Sequence, residues 1–248
     1  MKQLLALIGY GRFGRLAAHY LKDSFRVWVC DPRRSIRLES GLRRCTLLEA
    51  SQCNTIILAV PISSMQSVLR KLSPVINPAA LVIDVCSVKA EPIRWMKQLL
   101  PSTTSILGTH PLFGPDSAST TLQTKSIVLC PVRVPRRTFS PIASGLRKAG
   151  LLVSIMTPDH HDAAMARTLF LTQYLGRSLA DLVLLPAFPL TENSHMLHRI
   201  VYTSMRDTRQ LLNDMYHFNR YAKAIPARVH DALRRESLKL QSASRRLR

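Results

Sequence analysis

Three of the chain's nine glycines fall within six residues, Gly9–Gly14, and the sequence around them constrains the fold more than any other feature. An apolar run, Leu4–Ile8, precedes them, and a stretch of helical character, Arg15–Lys22, follows. A second apolar run, Phe25–Cys30, leads directly into Asp31. This order of strand, G-x-G-x-x-G, helix, strand and acid is typical of a βαβ unit that binds a dinucleotide at the N-terminus of its helix.

Each position of the glycine motif has a physical role in that prediction. Gly9 permits the tight turn, Gly11 lets a pyrophosphate approach the backbone, and Gly14 lets the helix pack closely against the strand. Arg12 and Phe13 lie between these glycines and are predicted to contact the cofactor as well.

The end of the second strand bears on which cofactor is bound. Asp31 can accept hydrogen bonds from both ribose hydroxyls, and it favours NAD because a 2′-phosphate would meet a carboxylate. Arg33 and Arg34 follow closely and would hold that phosphate instead, so NADP is the alternative. We expect NAD.

Further strand-length apolar runs continue along the first part of the chain, and helical stretches separate several of them. This alternation predicts an α/β fold with a Rossmann-type, doubly wound parallel sheet. We expect residues 1–155 to form a dinucleotide-binding domain and residues 156–248 to form a smaller all-helical domain with a basic tail, 234–248. Residues 132–141 are predicted to be an exposed loop, and Tyr202–Ile225 a single helix. The predicted strands are Thr55–Val60, Ala80–Val85, Ser105–Leu107, Ser126–Cys130 and Leu151–Ile155.

Distinctive residues follow three of these strands, where a sheet of this kind binds its ligands. Val60 and Pro61 come after the first and are predicted to line the cofactor site. Ser87 lies in the second such segment, Asp84–Lys89. His110 lies in the third, between two glycines and two prolines, and a rigid loop of this composition beside a cofactor favours a catalytic histidine over a structural one.

Composition excludes several other classes of protein. The formal charge is +20, but the basic residues are scattered and the aromatic content is only 6%, so we expect no nucleic-acid partner. No apolar run approaches the ~18–20 residues of a membrane span. The five cysteines form no C-x-x-C pair and are expected to be reduced thiols of a cytoplasmic protein. No pattern of ligands predicts a metal site.

The sequence resembles the prephenate and arogenate dehydrogenases of tyrosine biosynthesis, with matching order and spacing from residue 1 to about 180. The resemblance implies an NAD(P)-dependent oxidative decarboxylation of a prephenate-like dicarboxylate. Hydride leaves ring carbon C4 for the nicotinamide, the hydroxyl proton goes to a base, carbon dioxide departs, and the ring becomes aromatic. The segments that match are Gly9–Gly14, Asp84–Lys89, His110–Ser117, Thr157–Asp162 and the following Met165 and Ala166.

The same resemblance implies roles for individual residues. His110 matches the catalytic histidine that hydrogen-bonds the substrate hydroxyl, and Ser87 matches a serine that contacts this histidine and the substrate. Gln173 occupies the place of a second histidine that positions the substrate; it can hydrogen-bond but cannot titrate. Arg199 or Arg177 is expected to bind the substrate carboxylate, because a guanidinium can do so bidentately.

The C-terminal part resembles the family's dimerisation domain in a shortened form. We therefore expect a homodimer whose cleft lies between the sheet and the helix that includes Gln173 and Arg177. Two alternatives stay open. The same chemistry could act on arogenate or on 4-amino-4-deoxyprephenate, or the chain could be a non-enzymatic Rossmann module that binds nucleic acid through its charge, which the intact glycine motif, Ser87 and His110 speak against.

Overall fold

The computed structural model describes residues 2–183 and 191–246. The chain divides into two compact units, Met1–His161 and Asp162–Arg248. The first unit contains every strand of the described residues, and the second is helical.

Unit 1 is built on one eight-stranded sheet. Its strands are β1 (Gln3–Ile8), β2 (Phe25–Cys30), β3 (Arg43–Arg44), β4 (Thr55–Leu58), β5 (Leu81–Asp84), β6 (Ser105–Pro111), β7 (Ser126–Arg133) and β8 (Leu152–Ile155). The strand order is β3-β2-β1-β4-β5-β6-β7-β8. The first six strands reproduce the doubly wound arrangement, in which the chain reverses direction across the sheet between β1 and β4. The predicted α/β Rossmann-type fold is confirmed.

Helices connect most of the strands of unit 1. They are α1 (Arg12–Leu21), α2 (Leu47–Ser51), α3 (Ile62–Leu72), α4 (Ala90–Leu99) and α5 (Arg136–Lys148). The inner strands are buried on both faces: four consecutive residues of β1, Leu5 to Ile8, are shielded from solvent. This explains why these strands read as continuous apolar runs rather than alternating ones.

Two strands, β7 and β8, run opposite to the other six and depart from the predicted parallel arrangement. β7 pairs antiparallel with β6, with His110 opposite Val128, whereas β8 pairs parallel with β7. A parallel pair requires a crossover, usually a helix. The connection between β6 and β7, residues 112–125, contains no helix, and the chain turns back instead. The sheet is therefore mostly parallel.

The prediction of an exposed loop over residues 132–141 is wrong. β7 continues to Arg133, and α5 begins at Arg136 after Pro135. The proline occupies the N-cap position, where its missing N–H costs nothing. Of the residues of α5 only Ala143 is fully buried, so the basic residues that suggested a loop lie on a solvated helix face.

Unit 2 consists of helices. α6 (Pro158–Met165) crosses the boundary, and a π-helical turn (Ala166–Phe170) follows it. The remaining helices are α7 (Leu171–Ser178), α8 (Ala180–Val183), α9 (Glu192–Arg206), α10 (Arg209–Phe218) and α11 (Ile225–Arg246). No helix in residues 2–183 and 191–246 has the length and apolar character needed to cross a membrane.

The predicted single helix Tyr202–Ile225 is broken twice. α9 ends at Arg206, and Thr208 starts α10 by accepting a hydrogen bond from the Leu211 N–H. A capping threonine competes with helix continuation because its hydroxyl satisfies a backbone donor at a new N-terminus. α11 then begins at Ile225 and carries most of the basic tail; residues 247 and 248 lie outside the described residues.

Candidate active site

The glycine motif forms the turn between β1 and α1 and leaves room for a ligand. Gly9 has φ +98°, and a Cβ there would collide with the Ala59 carbonyl. A Cβ at Gly14 would collide with the carbonyl of Gly9, so neither position accepts a side chain. A Cβ at Gly11, the N-cap of α1, would have nothing within 4 Å. The open space at the helix N-terminus is where the motif predicts a phosphate.

Arg12 and Phe13 tie this turn to the segment after β6. Arg12 forms an ion pair with Asp116, with 2.5 Å between Nη2 and Oδ2. The ring of Phe13 lies 6.4 Å from that of Phe113, centroid to centroid. Val60 and Pro61 follow β4, where the Ala59 N–H donates to the Ile8 carbonyl of β1. The predicted cofactor residues therefore come together at the carboxyl ends of β1 and β4.

Asp31, at the end of β2, is held by four hydrogen bonds. Its Oδ2 accepts from the Tyr10 N–H (2.8 Å) and from Nη2 of Arg33 (2.9 Å). Its Oδ1 accepts from the Arg33 N–H (3.0 Å) and from Nε of Arg33 (2.9 Å). Burial alone would raise the pKa of this carboxyl, but the bonds from Arg33 and Tyr10 lower it to about 2. Asp31 is thus a carboxylate paired with Arg33, one of the two arginines that would hold the 2′-phosphate of NADP. The other, Arg34, is exposed.

His110 lies near the end of β6, buried to 5% exposure. Its Nδ1 lies 2.8 Å from Nε2 of His161, and the two rings meet edge to face with centroids 5.0 Å apart. His161 is fully buried in the first turn of α6, whereas the adjacent His160 is exposed. His161 was predicted only as part of the matching segment Thr157–Asp162, and the structure makes it the hydrogen-bond partner of His110.

A buried ion pair lies next to this histidine. Nζ of Lys89 donates to Oδ1 of Asp84 and, at 2.6 Å, to the carbonyl of Thr109. The Thr109 hydroxyl donates to the Asp84 carbonyl at 2.7 Å, which ties β6 to the end of β5. Lys89 and Asp84 are both fully buried. We call Asp84, Lys89, Thr109, His110 and His161 the strand-end cluster.

The electrostatics of this cluster keep the imidazole neutral. Burial lowers the pKa of His110 well below its ordinary value, and His161 and the Lys89 ammonium lower it further. Burial raises the pKa of the Asp84 carboxyl, an effect that Lys89 opposes. At neutral pH His110 can therefore accept a proton but carries no charge of its own.

Ser87 lies on the segment between Asp84 and Lys89 but makes no bond to His110. Its Oγ is buried and has no hydrogen-bond partner among the residues that the structure describes. In this structure His161, rather than Ser87, holds the His110 ring. A buried hydroxyl without a partner is costly unless a ligand supplies one.

A second group of polar side chains lies in unit 2. Nε2 of Gln173 donates to Oδ2 of Asp207 at 2.6 Å, and Nη2 of Arg177 donates to the Asp207 carbonyl. Gln173 is buried, and Nε of Arg177 is a buried donor without a partner in the described part of the chain. We call Gln173, Arg177 and Asp207 the helix cluster. Arg199 is exposed on α9, outside this cluster.

The helix cluster depends on features that the sequence shows only weakly. A π-helical turn precedes α7, and such turns shift the register of the helix that follows them. Gly176 lets α7 approach α9 closely, because a Cβ there would collide with the Ser204 side chain. Asp207 was not predicted. Its only sequence signal is the polar pair Asp207-Thr208 at a helix break.

A family model matches most of unit 1. Residues 33–153, which include Ser87 and His110, match the model of the prephenate dehydrogenase nucleotide-binding domain. This part of unit 1 is therefore a nucleotide-binding domain.

Curated relatives carry related names. The chain is 27% identical over 187 residues to a probable arogenate/prephenate dehydrogenase of Methanocaldococcus jannaschii, a match that covers 70% of this chain and 42% of that protein. It is 32% identical over 249 residues to the chloroplastic arogenate dehydrogenase 1 of Arabidopsis thaliana, covering 96% of this chain and 39% of that protein. The chain thus spans about two fifths of the length of each of these two relatives.

A solved structure shares the fold. A crystal structure of prephenate dehydrogenase from A. aeolicus, in complex with hydroxyphenyl propionate and NAD+, superimposes with a TM-score of 0.76 at 17% identity, covering 98% of this chain and 93% of that one. With the matched domain, the named relatives and the strand-end motifs in agreement, residues 33–153 carry the nucleotide-binding domain of the prephenate dehydrogenase family, and the chain is similar to prephenate and arogenate dehydrogenases.

Proposed function

We propose that this protein is an NAD(P)-dependent dehydrogenase that converts prephenate to 4-hydroxyphenylpyruvate by oxidative decarboxylation. The observation that carries the proposal is His110, a buried neutral imidazole at a strand end of a nucleotide-binding sheet. Its Nδ1 is used by His161, and its Nε2 has no hydrogen-bond partner within residues 2–183 and 191–246. A base prepared in this way suits the removal of a proton from a substrate hydroxyl.

The proposed reaction uses His110 twice. It takes the proton of the C4 hydroxyl while the hydride leaves C4, and it returns that proton to the phenolate oxygen after carbon dioxide has departed. A bound NAD(P) would supply the hydride acceptor. Ser87, a buried hydroxyl with no protein partner in the described residues, donates a hydrogen bond to the substrate beside His110. Aromatisation of the ring supplies the driving force.

In this proposal Gln173, Arg177 and Arg199 serve the substrate. Arg177 is the strongest candidate for the carboxylate, because its buried Nε is a charged donor that no described protein group satisfies. Gln173 positions the substrate through its amide, which Asp207 orients. Arg199 is the weaker candidate, since its side chain is exposed.

We propose NAD as the preferred cofactor, bound by Gly9, Gly11, Arg12, Phe13, Gly14, Asp31, Val60 and Pro61. The support is that the Arg33 guanidinium is paired with Asp31. The Asp31 carboxylate thereby offsets the positive charge that a 2′-phosphate would need. Asp31→Ala should weaken the binding of NAD and strengthen the binding of NADP. The matched variant Arg34→Ala should change neither affinity. A wild-type kcat/KM that is higher with NADP contradicts this assignment.

A homodimer and a cytoplasmic location complete the proposal. α9 exposes several large apolar side chains, and an apolar surface of this kind marks a protein interface. They are Met196, Leu197, Ile200, Tyr202 and Met205. Sedimentation at micromolar concentration should show a dimer, and a fully active monomer contradicts it. The five cysteines are all unpaired, in line with a reducing compartment.

Arogenate is the second candidate substrate, and one observation favours it. The Asp207 carboxylate lies in the helix cluster, beside Gln173 and Arg177. A carboxylate there attracts an ammonium. The side chain of arogenate carries an ammonium where that of prephenate carries a keto group, and both side chains end in a carboxylate.

The decisive experiment is a parallel assay of NADH and NADPH formation with prephenate, arogenate and 4-amino-4-deoxyprephenate. We expect turnover with prephenate and loss of it in His110→Ala. Turnover restricted to one of the other two compounds assigns the same chemistry to that substrate. The proposal fails if none of the three is oxidised by protein that binds the cofactor; salt-dependent retention on DNA without cofactor binding would favour the non-enzymatic module.

A further inference from the structure

His161 reaches the catalytic region from a different part of the chain than the other members of the strand-end cluster. It lies 51 residues after His110, in the first turn of α6. The Thr157 carbonyl and hydroxyl accept the backbone N–H groups of His161 and His160, and so fix the start of that helix. His161 is completely buried, although its neighbours on both sides, His160 and Asp162, are polar. A polar ring is buried in this way only when its nitrogens find partners.

The contact between the two imidazoles has one consequence for protonation. Nδ1 of His110 and Nε2 of His161 are 2.8 Å apart, so one nitrogen donates a hydrogen and the other accepts it. His110 is neutral, because burial, His161 and Lys89 all lower its pKa. A neutral imidazole has a single N–H. If that hydrogen is on Nδ1, Nε2 has a free lone pair; if it is on Nε2, that nitrogen cannot act as a base.

Neighbouring charged groups do not take over the role of His161. The ammonium of Lys89 donates hydrogen bonds to Asp84 and to the Thr109 carbonyl, so the charges of Lys89 and Asp84 pair with each other. Asp84 is therefore not the partner of the histidine, and the imidazole of His161 occupies the position that a carboxylate holds in a Ser-His-Asp triad. A carboxylate there would raise the pKa of His110, whereas His161 lowers it.

We infer that His161 is a positioning residue that accepts a hydrogen bond from Nδ1–H of His110 and thereby holds Nε2 of His110 as the proton acceptor. This inference rests on the proposed function, in which His110 is the base. During the reaction the O–H bond of the substrate hydroxyl breaks and an N–H bond forms at Nε2. The Nδ1–H hydrogen bond to His161 holds the orientation of the protonated ring until the proton returns to the phenolate oxygen.

The tautomer can be measured without substrate or turnover. Long-range proton–nitrogen correlation spectra of the full chain, labelled with nitrogen-15 histidine, distinguish protonated from unprotonated ring nitrogens. The signals of His110 are assigned from their loss in His110→Ala. We expect hydrogen on Nδ1 of His110 and none on Nε2. Hydrogen on Nε2 in the wild-type protein overturns the inference.

Variants at the two adjacent histidines supply the kinetic test. His161→Leu removes the acceptor and should lower kcat at least about 10-fold, with the 10²–10⁴-fold that loss of a general base costs as the upper range. His161→Gln, whose amide oxygen can accept from Nδ1–H, should recover most of that loss. His160→Gln, at the exposed neighbour, should leave kcat unchanged. NADH affinity and the thermal unfolding midpoint are recorded for each variant.

The outcomes separate the two proposals. A His161→Leu protein that binds NADH and retains kcat within twofold overturns the role of His161, and equal losses in the Leu and Gln variants do so as well. If His161→Leu does not fold, the comparison of His161→Gln with wild type and the wild-type spectrum still decide. A wild-type protein that binds the cofactor and oxidises none of the three substrates refutes the proposed function, whatever tautomer the spectrum shows, whereas full turnover in His110→Ala refutes the role of His110 as the base and with it this inference.

Discussion

The strand-end cluster of unit 1 and the helix cluster of unit 2 are both small groups of buried polar residues, but they are assembled differently. Asp84, Thr109 and His110 lie on or at the ends of adjacent parallel strands, whose pairing places Asp84 opposite Gly108. Gln173, Arg177 and Asp207 come from one helix and a helix break 30 residues or more away in sequence. The carboxyl ends of neighbouring parallel strands lie side by side because the strands are paired, whereas two helices meet only where their side chains pack.

The difference also concerns charge. In the strand-end cluster the ammonium of Lys89 is paired with Oδ1 of Asp84, the unpaired atom among the described residues is the carboxylate oxygen Oδ2, and the His110 imidazole beside them is neutral. In the helix cluster Arg177 keeps one buried donor unsatisfied by described residues. We therefore expect changes in the first cluster to affect chemistry and folding, and changes in the second to affect substrate affinity.

The largest effect is expected at the base. His110→Ala should lower kcat by about 10²–10⁴-fold, because a positioned proton acceptor is lost. The dissociation constant for NADH, measured by fluorescence titration, should stay nearly unchanged, since the glycine turn is intact. A variant that keeps most of its kcat would show that His110 is a structural residue, and the contrast between the two clusters would disappear.

Folding should respond most strongly to the buried ion pair. Lys89→Met leaves the Asp84 carboxylate buried without its counter-charge and should lower the free energy of unfolding by about 3–5 kcal/mol, measured by urea denaturation at neutral pH. Lys97→Met, at an exposed position of the same helix, should change it by no more than about 0.5 kcal/mol. Equal effects of the two substitutions would contradict a structural role for the pair.

The helix cluster should respond in substrate affinity. Arg177→Met removes a charged hydrogen-bond donor worth about 1.5–3 kcal/mol and should raise the substrate KM about 10- to 100-fold. We expect a much smaller change in kcat. Arg199→Met is the matched comparison and should leave KM within about threefold, because that side chain is exposed. The reverse result would assign the carboxylate to Arg199.

The smallest effect is expected at Asp31, which follows β2. The pKa of Asp31 is about 2 in the folded protein, below its value of about 3.9 in an unfolded chain. Its ionisation therefore contributes stability above pH 4, and this contribution is lost as the pH falls from about 4 towards 2. The contribution should be about 1 kcal/mol, because Arg33 is 57% exposed and solvent screens the pair.

The measurement compares wild type with Asp31→Asn. The difference in their free energies of unfolding should be largest at pH 6 and should shrink as the pH approaches 3. A difference that grows on acidification would mean that the carboxylate is destabilising in the folded state, contrary to the sign derived from its pKa.

Prediction from the sequence succeeded for elements with strong local patterns. β1, α1 and β2 were found within a few residues, because continuous apolar runs and an N-terminal glycine turn leave few other conformations. It failed at residues 132–141 and within Tyr202–Ile225, where helix ends depend on single capping residues. The roles predicted for Ser87, His110, Gln173, Arg177 and Arg199 stay predictions.

The sequence by itself determined the nucleotide-binding fold, the glycine turn and the strand ends that carry Asp31, Ser87 and His110, since each depends on residues that are neighbours in the chain. Only the tertiary structure decided that His161 contacts His110, that Lys89 neutralises Asp84 and that Asp207 joins Gln173 to Arg177. It also decided that β7 runs antiparallel to β6. These contacts join side chains or strands that are distant in sequence or face each other only after packing, and packing is a property of the assembled elements rather than of any local pattern.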